Sequence, residues 1–168
     1  MTAHTFDWSR FVVRISVKAP DEKLYNAWAT RDGIESWFLR LSEFKSSTVE
    51  IRKADEPVEK ADTYRWLWHG WGDDTEEKGT ILDCNGKDYF KFSFGKAGIC
   101  TVKLKKEQNE NIVELVQEDI PTDEHGKQTF HLGCKSGWTF YLANLKSIFE
   151  GGIDLRNRNT KIRDVLNS

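Results

Sequence analysis

The first residue that could support chemistry is a histidine between two tryptophans, in the run Trp68–Trp71. A histidine beside an aromatic pocket can act as a general base, because its ordinary pKa lies near neutrality. If the chain is a strand here, however, His69 falls on the face opposite to Trp66 and Trp68, since side chains alternate between the two faces. No carboxylate of the same strand lies beside it. The pattern favours a surface histidine near a turn.

Three potential metal ligands, His125, His131 and Cys134, lie close together in the chain. Their spacing matches no closed ligand set, and no fourth ligand can be named. The other two cysteines, Cys84 and Cys100, are widely spaced, which indicates reduced structural thiols rather than a disulfide framework. We predict neither a metal nor a cofactor.

Two runs of adjacent carboxylates, Asp73-Asp74 and Glu76-Glu77, look like paired acids. They follow Gly72 and precede a strand, and a charged hairpin turn is the ordinary use of such a run. The sequence contains no glycine-rich phosphate loop, nucleophile elbow or cysteine–histidine pair. It therefore names no catalytic residue.

Aromatic side chains are the most unusual feature, at 12% of the chain with seven tryptophans. Either they build a core from large side chains, or several of them line an internal cavity that holds a small apolar or aromatic ligand. The predicted cavity residues share the inner face of several strands and of one helix. They are Trp66, Trp68, Phe90, Phe92, Phe94, Val113, Leu115, Gln117, Trp138, Tyr141, Leu142 and Leu145.

Gln117 is the polar member of that set, because it continues the inward register of Val113 and Leu115. A buried amide needs hydrogen-bond partners, and the candidates are Tyr141, a water or a ligand. A register slip of one residue would instead turn Gln117 to solvent.

The element that must cover these residues is a helix over Ser136–Phe149. An apolar arc of roughly 120° predicts a helix packed on a sheet, and it contains Trp138, Tyr141, Leu142, Leu145, Ile148 and Phe149. The opposite side carries Thr139, Asn144, Lys146 and Ser147. Phe140 is the apolar exception there, and we predict that a partner subunit or the C-terminal turn around Ile162 and Leu166 covers it. Gly151-Gly152 ends the helix.

Upstream of this helix the chain alternates between apolar and polar residues, as strands with one buried face do. The predicted strands are Phe11–Val17, Tyr64–His69, Glu77–Asn85, Tyr89–Phe94, Gly98–Lys106 and Asn111–Ile120, with a weak one at Phe44–Ile51. Short helices follow Pro20 and Thr30, and Thr30 is the predicted cap of the second. The short links between the later strands permit only hairpins, so the sheet is an antiparallel meander and the fold class is α+β.

Composition limits the partners and the compartment. The chain of 168 residues has a net charge of -2 and a pI near 6.1, which argues against nucleic-acid binding. A local basic run near the end is interspersed with Asp154 and Asp164, as on a solvated surface. No segment approaches a membrane span, and we predict a cytoplasmic protein.

The motif from Val17 through Ala19-Pro20 and Tyr25 to Ala27-Trp28, followed by Trp37-Phe38, resembles the opening of the START-like superfamily. More specifically, the chain is similar to the family named after the activator of the heat-shock chaperone ATPase. Further matches are Tyr64-x-Trp66-x-Trp68, Gly79-Thr80-Ile81, Asp119–Glu124, Gly137-Trp138, Asn144–Lys146 and Gly151–Arg156. The last of these resemble a bacterial subgroup of START-like proteins.

This resemblance implies one domain with a helix-grip fold, like that of the birch-pollen allergen. A curved antiparallel sheet would wrap around the last helix, with the core at about 10–156 and a C-terminal tail at 157–168. A cavity between sheet and helix is part of the family pattern, whereas shared catalytic residues are not.

Three functions remain open at this stage. The first is non-catalytic binding of a small apolar or aromatic ligand in the cavity. The second is a protein–protein adaptor or chaperone-ATPase regulator, for which the family resemblance suggests a chaperone partner and Phe140 an interface or homodimer contact. The third is a cyclase- or lyase-type enzyme, which would need polar groups converging inside the pocket.

Overall fold

The protein, described for residues 5–166 by a computed structural model, has one antiparallel sheet and three α-helices in its described part, together with a 3-10 helix at Gly95–Ala97 and a π-helical segment at Gly126–Leu132. The elements are β1 (Phe11–Ser16), α1 (Asp21–Ala29), α2 (Arg31–Trp37), β2 (Leu41–Lys45), β3 (Thr63–Leu67), β4 (Glu76–Cys84), β5 (Tyr89–Ser93), β6 (Ile99–Glu107), β7 (Glu110–Glu118) and α3 (Gly133–Phe149). The strand order is β1-β7-β6-β5-β4-β3-β2. This confirms the predicted α+β helix-grip architecture. The last two residues of the predicted tail, 167 and 168, lie outside the described range.

The register of the sheet follows from its alternating residues. Val113 and Leu115 of β7 are fully buried and pair with Ile15 and Val13 of β1. Gln117 continues the same face, pairs with Phe11 and is also fully buried. The inner face of the sheet is therefore the one that the apolar pattern predicts.

The two short helices begin as their sequences predict. Asp21 and Glu22 occupy the first turn of α1, where the helix dipole favours negative charge. The Thr30 hydroxyl accepts a hydrogen bond from Gly33 N at 3.0 Å, which satisfies a free amide at the start of α2. Thr30 is thus the cap that the sequence predicts.

The strand predicted at Phe44–Ile51 is shorter and lies earlier in the chain, at Leu41–Lys45. It ends at Lys45, and only one isolated bridge joins Lys45 to Ile51. Between them the chain folds back on itself, with Ser46 N donating to Glu50 O and Val49 in the left-handed region at a φ of 66°. The polar stretch around Ser46 makes a tight turn instead of extending the ladder.

The last helix starts earlier than the predicted Ser136. Helical backbone begins at Glu124, and a π-helical segment, Gly126–Leu132, leads directly into α3. Asp123 caps this extension by accepting a hydrogen bond from Gly126 N at 2.7 Å. Glycines at 126, 133 and 137 lower the intrinsic helix propensity of this stretch, which is why its apolar pattern does not predict a helix before Ser136. At the other end, Gly151 leaves the helix with a φ of 83°, as predicted.

Asn144 does not lie on the solvent side of α3, and that prediction is wrong. Its side chain is fully buried. The amide donates to Trp37 O at 2.7 Å, and its oxygen accepts from Leu155 N at 2.7 Å. The chain beyond Gly152 folds back over α2 and α3, which covers a helix face that polarity alone marks as exposed.

Arg156 anchors this returning segment. Its side chain is 1% exposed and donates to three carbonyls at the end of α2, those of Glu35, Ser36 and Leu39, at 2.9–3.0 Å. Asp154 pairs with the same guanidinium at 2.8 Å. Burial alone would raise the pKa of Asp154, but hydrogen bonds from Arg156 and Arg158 hold it well below its ordinary value.

We expect Asn144→Ala to destabilise the protein by at least about 2 kcal/mol. The change leaves Trp37 O and Leu155 N buried without a partner, and each such group costs about 1–3 kcal/mol. Thr139→Ala, on the exposed side of the same helix, serves as the control and should cost less than about 0.5 kcal/mol. Denaturant unfolding measures both, and equal losses would contradict the buried role of Asn144.

Candidate functional site

Most of the residues predicted to line a cavity lie in the packed core. These side chains are no more than 1% exposed, and they are Trp66, Phe90, Phe92, Val113, Leu115, Gln117, Leu142 and Leu145. They fill the space between the sheet and α3. The wide cavity that the family resemblance implies is closed at this end of the molecule.

A cleft of about 190 Å³ lies at the other end, where α3 begins. It contains the four remaining predicted residues, Trp68, Phe94, Trp138 and Tyr141. The other lining residues are Phe38, Thr129, Gly133, Cys134 and Gly137. Trp68 directly follows β3 and Phe94 directly follows β5, so the cleft opens where these strands end beside α3.

Phe38 is the central ring of the cleft, whereas the sequence singles it out only as part of the Trp37-Phe38 motif. Its centroid lies 4.8 Å from the Tyr141 ring, 4.9 Å from Trp138 and 5.9 Å from Trp68. Phe94 adds a wall 5.5 Å from Trp138. Position 38 ends α2, and the pattern of α2 alone does not reveal that its ring turns toward α3.

The partners of Gln117 are now identified, and Tyr141 is not among them. Its side-chain oxygen accepts from the Trp138 indole at 2.9 Å, and its amide donates to Ala97 O at 2.9 Å. Cys100 approaches the same oxygen at 3.5 Å. Gln117 is therefore fully engaged within the core and fixes the Trp138 ring as a wall of the cleft.

The hydroxyl of Tyr141 makes no hydrogen bond within the described part of the chain. Burial raises the pKa of Tyr141 to about 12, so the phenol stays neutral and keeps its proton at physiological pH. It offers a donor and an acceptor to a molecule in the cleft.

Cys134 also lines the cleft, but its thiol is not set up as a nucleophile. Burial raises the pKa of Cys134, and the charge of Glu77 raises it further. A thiol with a raised pKa holds little of the reactive thiolate at neutral pH. The neutral Cys134 side chain therefore adds an apolar surface to the cleft.

Glu77 is a polar residue that sequence reasoning assigned to a charged turn. It lies in β4 directly opposite Trp66, and its side chain points to the inner face of the sheet. The carboxylate is half-buried, and burial raises its pKa. Its neighbour Glu76 faces outward and pairs with Arg65 and Lys78, each at 2.6 Å. The alternation of side chains along β4 could have predicted the inward position of Glu77, since Glu77 shares a face of the strand with the buried Ile81.

The histidines do not converge on one site. His69 is half-buried, and burial together with the nearby Arg156 lowers its pKa. His131 is buried and donates through Nδ1 to Trp8 O at 2.9 Å, whereas His125 contacts Thr129. Within residues 5–166, no three His, Cys, Asp or Glu side chains are grouped as a metal site requires.

A family model described as "Activator of Hsp90 ATPase homolog 1-like protein" matches residues 18–150. The chain belongs to this family. The match covers the elements from the start of α1 to the end of α3, including every residue that lines the cleft. None of the curated proteins compared with the chain matches it.

Solved structures support the same fold. Protein SSP2350 from Staphylococcus saprophyticus is 22% identical, with a TM-score of 0.68 over 88% of this chain and 96% of its own. The Aha1 protein from Colwellia psychrerythraea, whose solution structure is a dimer, is 18% identical, with a TM-score of 0.62 over 85% of this chain and 97% of its own. In the described range, no helix is both long and apolar enough to cross a membrane.

We expect Glu77→Gln to raise the melting temperature at neutral pH. A carboxyl whose pKa is higher in the folded state than in the unfolded state destabilises the fold once it is ionised. The penalty is absent below the ordinary glutamate pKa of 4.5 and grows as the pH rises through the folded-state value. Thermal melts of wild type and variant across this range should therefore diverge with rising pH.

Glu76→Gln is the matched control for this measurement. Hydrogen bonds from Lys78 and Arg65 lower the pKa of Glu76, so its removal should not stabilise the protein at neutral pH. The same gain from both variants would show that general charge repulsion, and not the inward position of Glu77, causes the effect.

Proposed function

We propose that the protein binds a small apolar or aromatic ligand, without catalysis, in the cleft where α3 begins. The observation that carries this proposal is a cleft walled by five aromatic rings, with the Tyr141 hydroxyl as its free polar group. Apolar walls with a few placed polar groups are typical of small-molecule sites. The family membership agrees with such a site without naming a ligand.

The volume of the cleft limits the size of the ligand. At about 190 Å³ it is smaller than the roughly 300–1,000 Å³ of sites for drug-sized molecules. A ligand of one or two rings fits this space. A larger molecule would need the Phe38 or Trp68 ring to move.

The polar groups lining the cleft favour binding over catalysis. A nucleophile and a general base would have to lie within hydrogen-bonding reach of each other. Burial raises the pKa of the Cys134 thiol, and His125, which lies 3.3 Å from the Thr129 hydroxyl, is not among the residues that line the cleft. The Tyr141 phenol is a hydrogen-bonding group that can orient a ligand.

We expect Trp68→Ala and Trp66→Ala to separate binding from stability. Trp66 is fully buried, so its truncation should cost about 3–5 kcal/mol. Trp68 is half-buried at the cleft, so its truncation should lower the free energy of unfolding by less than the truncation of Trp66 does. It should nevertheless weaken the binding of 2-naphthol at least tenfold. Fluorescence titration and denaturant unfolding measure the two effects. Equal stability losses together with unchanged 2-naphthol affinity for Trp68→Ala would contradict the proposed site.

As a second candidate, we propose a protein–protein adaptor or chaperone-ATPase regulator. The description of the family favours it, as does the dimeric Colwellia relative. Phe140 is the proposed contact, a half-buried ring on α3 with its centroid 5.3 Å from that of Tyr141. Ile162 of the tail is exposed, and we propose it as a further contact with a second subunit.

Light scattering and an ATPase assay test this second candidate. A Phe140 contact predicts a dimer that Phe140→Ser converts to monomer, while Thr139→Ala does not. A regulator predicts that the protein raises the ATPase rate of a purified Hsp90-type chaperone. A monomeric wild type without effect on that rate would remove the candidate.

A further inference from the structure

We propose that the ligand of the cleft is a small cation, an aromatic or alkyl amine whose ammonium group lies against the aromatic rings and pairs with Glu77. This inference rests on the proposed function, because it names the charge of the ligand that the same cleft takes.

The Glu77 carboxylate lies over Gly95, the residue that follows one wall of the cleft. A Cβ at Gly95 would come within 2.5 Å of its Oε1 atom, so the carboxylate sits directly over Gly95. The residue before Gly95 is Phe94, one wall of the cleft. The carboxylate therefore adjoins the Phe94 side of the cleft.

Glu77 has no cationic partner in the described part of the chain. Its one hydrogen bond comes from the backbone amide of Lys78 at 3.1 Å, while the Lys78 ammonium pairs with Glu76 at 2.6 Å. The nearby Tyr64 hydroxyl donates to Ser93 O at 2.6 Å and is not available to it. A half-buried carboxylate without a counter-ion is unfavourable, and a bound cation would relieve this penalty.

The walls of the cleft suit a cation in a second, independent way. Aromatic faces attract ammonium groups, and cages of several rings are a common means of binding quaternary amines. Five of the nine lining residues are aromatic, and none of the nine is a lysine, arginine or histidine. An anionic ligand would be repelled by Glu77, and a neutral one would leave its charge unpaired.

The test compares two probes of nearly the same shape, phenyltrimethylammonium and tert-butylbenzene, in which a carbon replaces the charged nitrogen. Dissociation constants for the full chain are measured by quenching of tryptophan fluorescence. We expect the cation to bind wild type at least tenfold more tightly than the neutral probe. Glu77→Gln should abolish this preference and leave the affinity for the neutral probe unchanged. Glu76→Gln removes the same charge from the outer face of the sheet and should preserve the preference for the cation.

A pH titration of wild type provides a second measurement that needs no variant. The preference for the cation should disappear as the pH falls through the pKa of Glu77, while the affinity for tert-butylbenzene stays constant. A preference that persists in Glu77→Gln, or at low pH, would overturn the role of Glu77.

The remaining outcomes distinguish this inference from the proposed function. Equal affinity of wild type for both probes would overturn the cationic ligand and leave the apolar site standing. Binding of neither probe by wild type would overturn both.

Discussion

The contact between Gln117 and Trp138 determines where the last helix meets the sheet. Gln117 is fully buried on β7, and a buried amide without partners would cost about 1–3 kcal/mol for each group. The Trp138 indole and Ala97 O satisfy it, and both lie at the end of the sheet where α3 begins. The Trp138 ring is thereby held as a wall of the cleft, while the rest of the helix packs into a closed core.

A second set of hydrogen bonds holds the opposite wall. Phe38 lies between two residues whose carbonyls are both occupied, that of Trp37 by Asn144 and that of Leu39 by Arg156. Asp154 contacts both of these donors, so the segment that follows α3 ties the end of α2 to the helix. The position of the Phe38 ring therefore depends on residues far away in the chain. A stable cleft requires the returning segment as much as it requires the aromatic rings.

Charge distinguishes the cleft from an ordinary gap in the core. The other carboxylates of this region, Glu76 and Asp154, face basic partners and have lowered pKa values. Glu77 points inward, pairs with no base in the described chain and has a raised pKa. Burying an unpaired charge destabilises a folded protein, so charged side chains are normally paired or exposed to water. Packing alone does not explain why a carboxylate points inward beside a set of aromatic rings.

The periodicity of the sequence determined the antiparallel sheet, the inward register of Val113, Leu115 and Gln117, the Thr30 cap and the helix that covers the sheet. Each of these depends on alternation or on a local hydrogen bond, which neighbouring residues specify. Asn144 was misassigned because its partners, Trp37 O and Leu155 N, lie on other segments, and polarity is no measure of burial once a chain folds back. Only the tertiary structure separated Trp66 in the core from Trp68 in the cleft and brought Phe38 to the centre of the cleft. It also turned Glu77 inward, where no basic side chain among residues 5–166 pairs with it. These are distances between segments remote in sequence, and no local pattern encodes them.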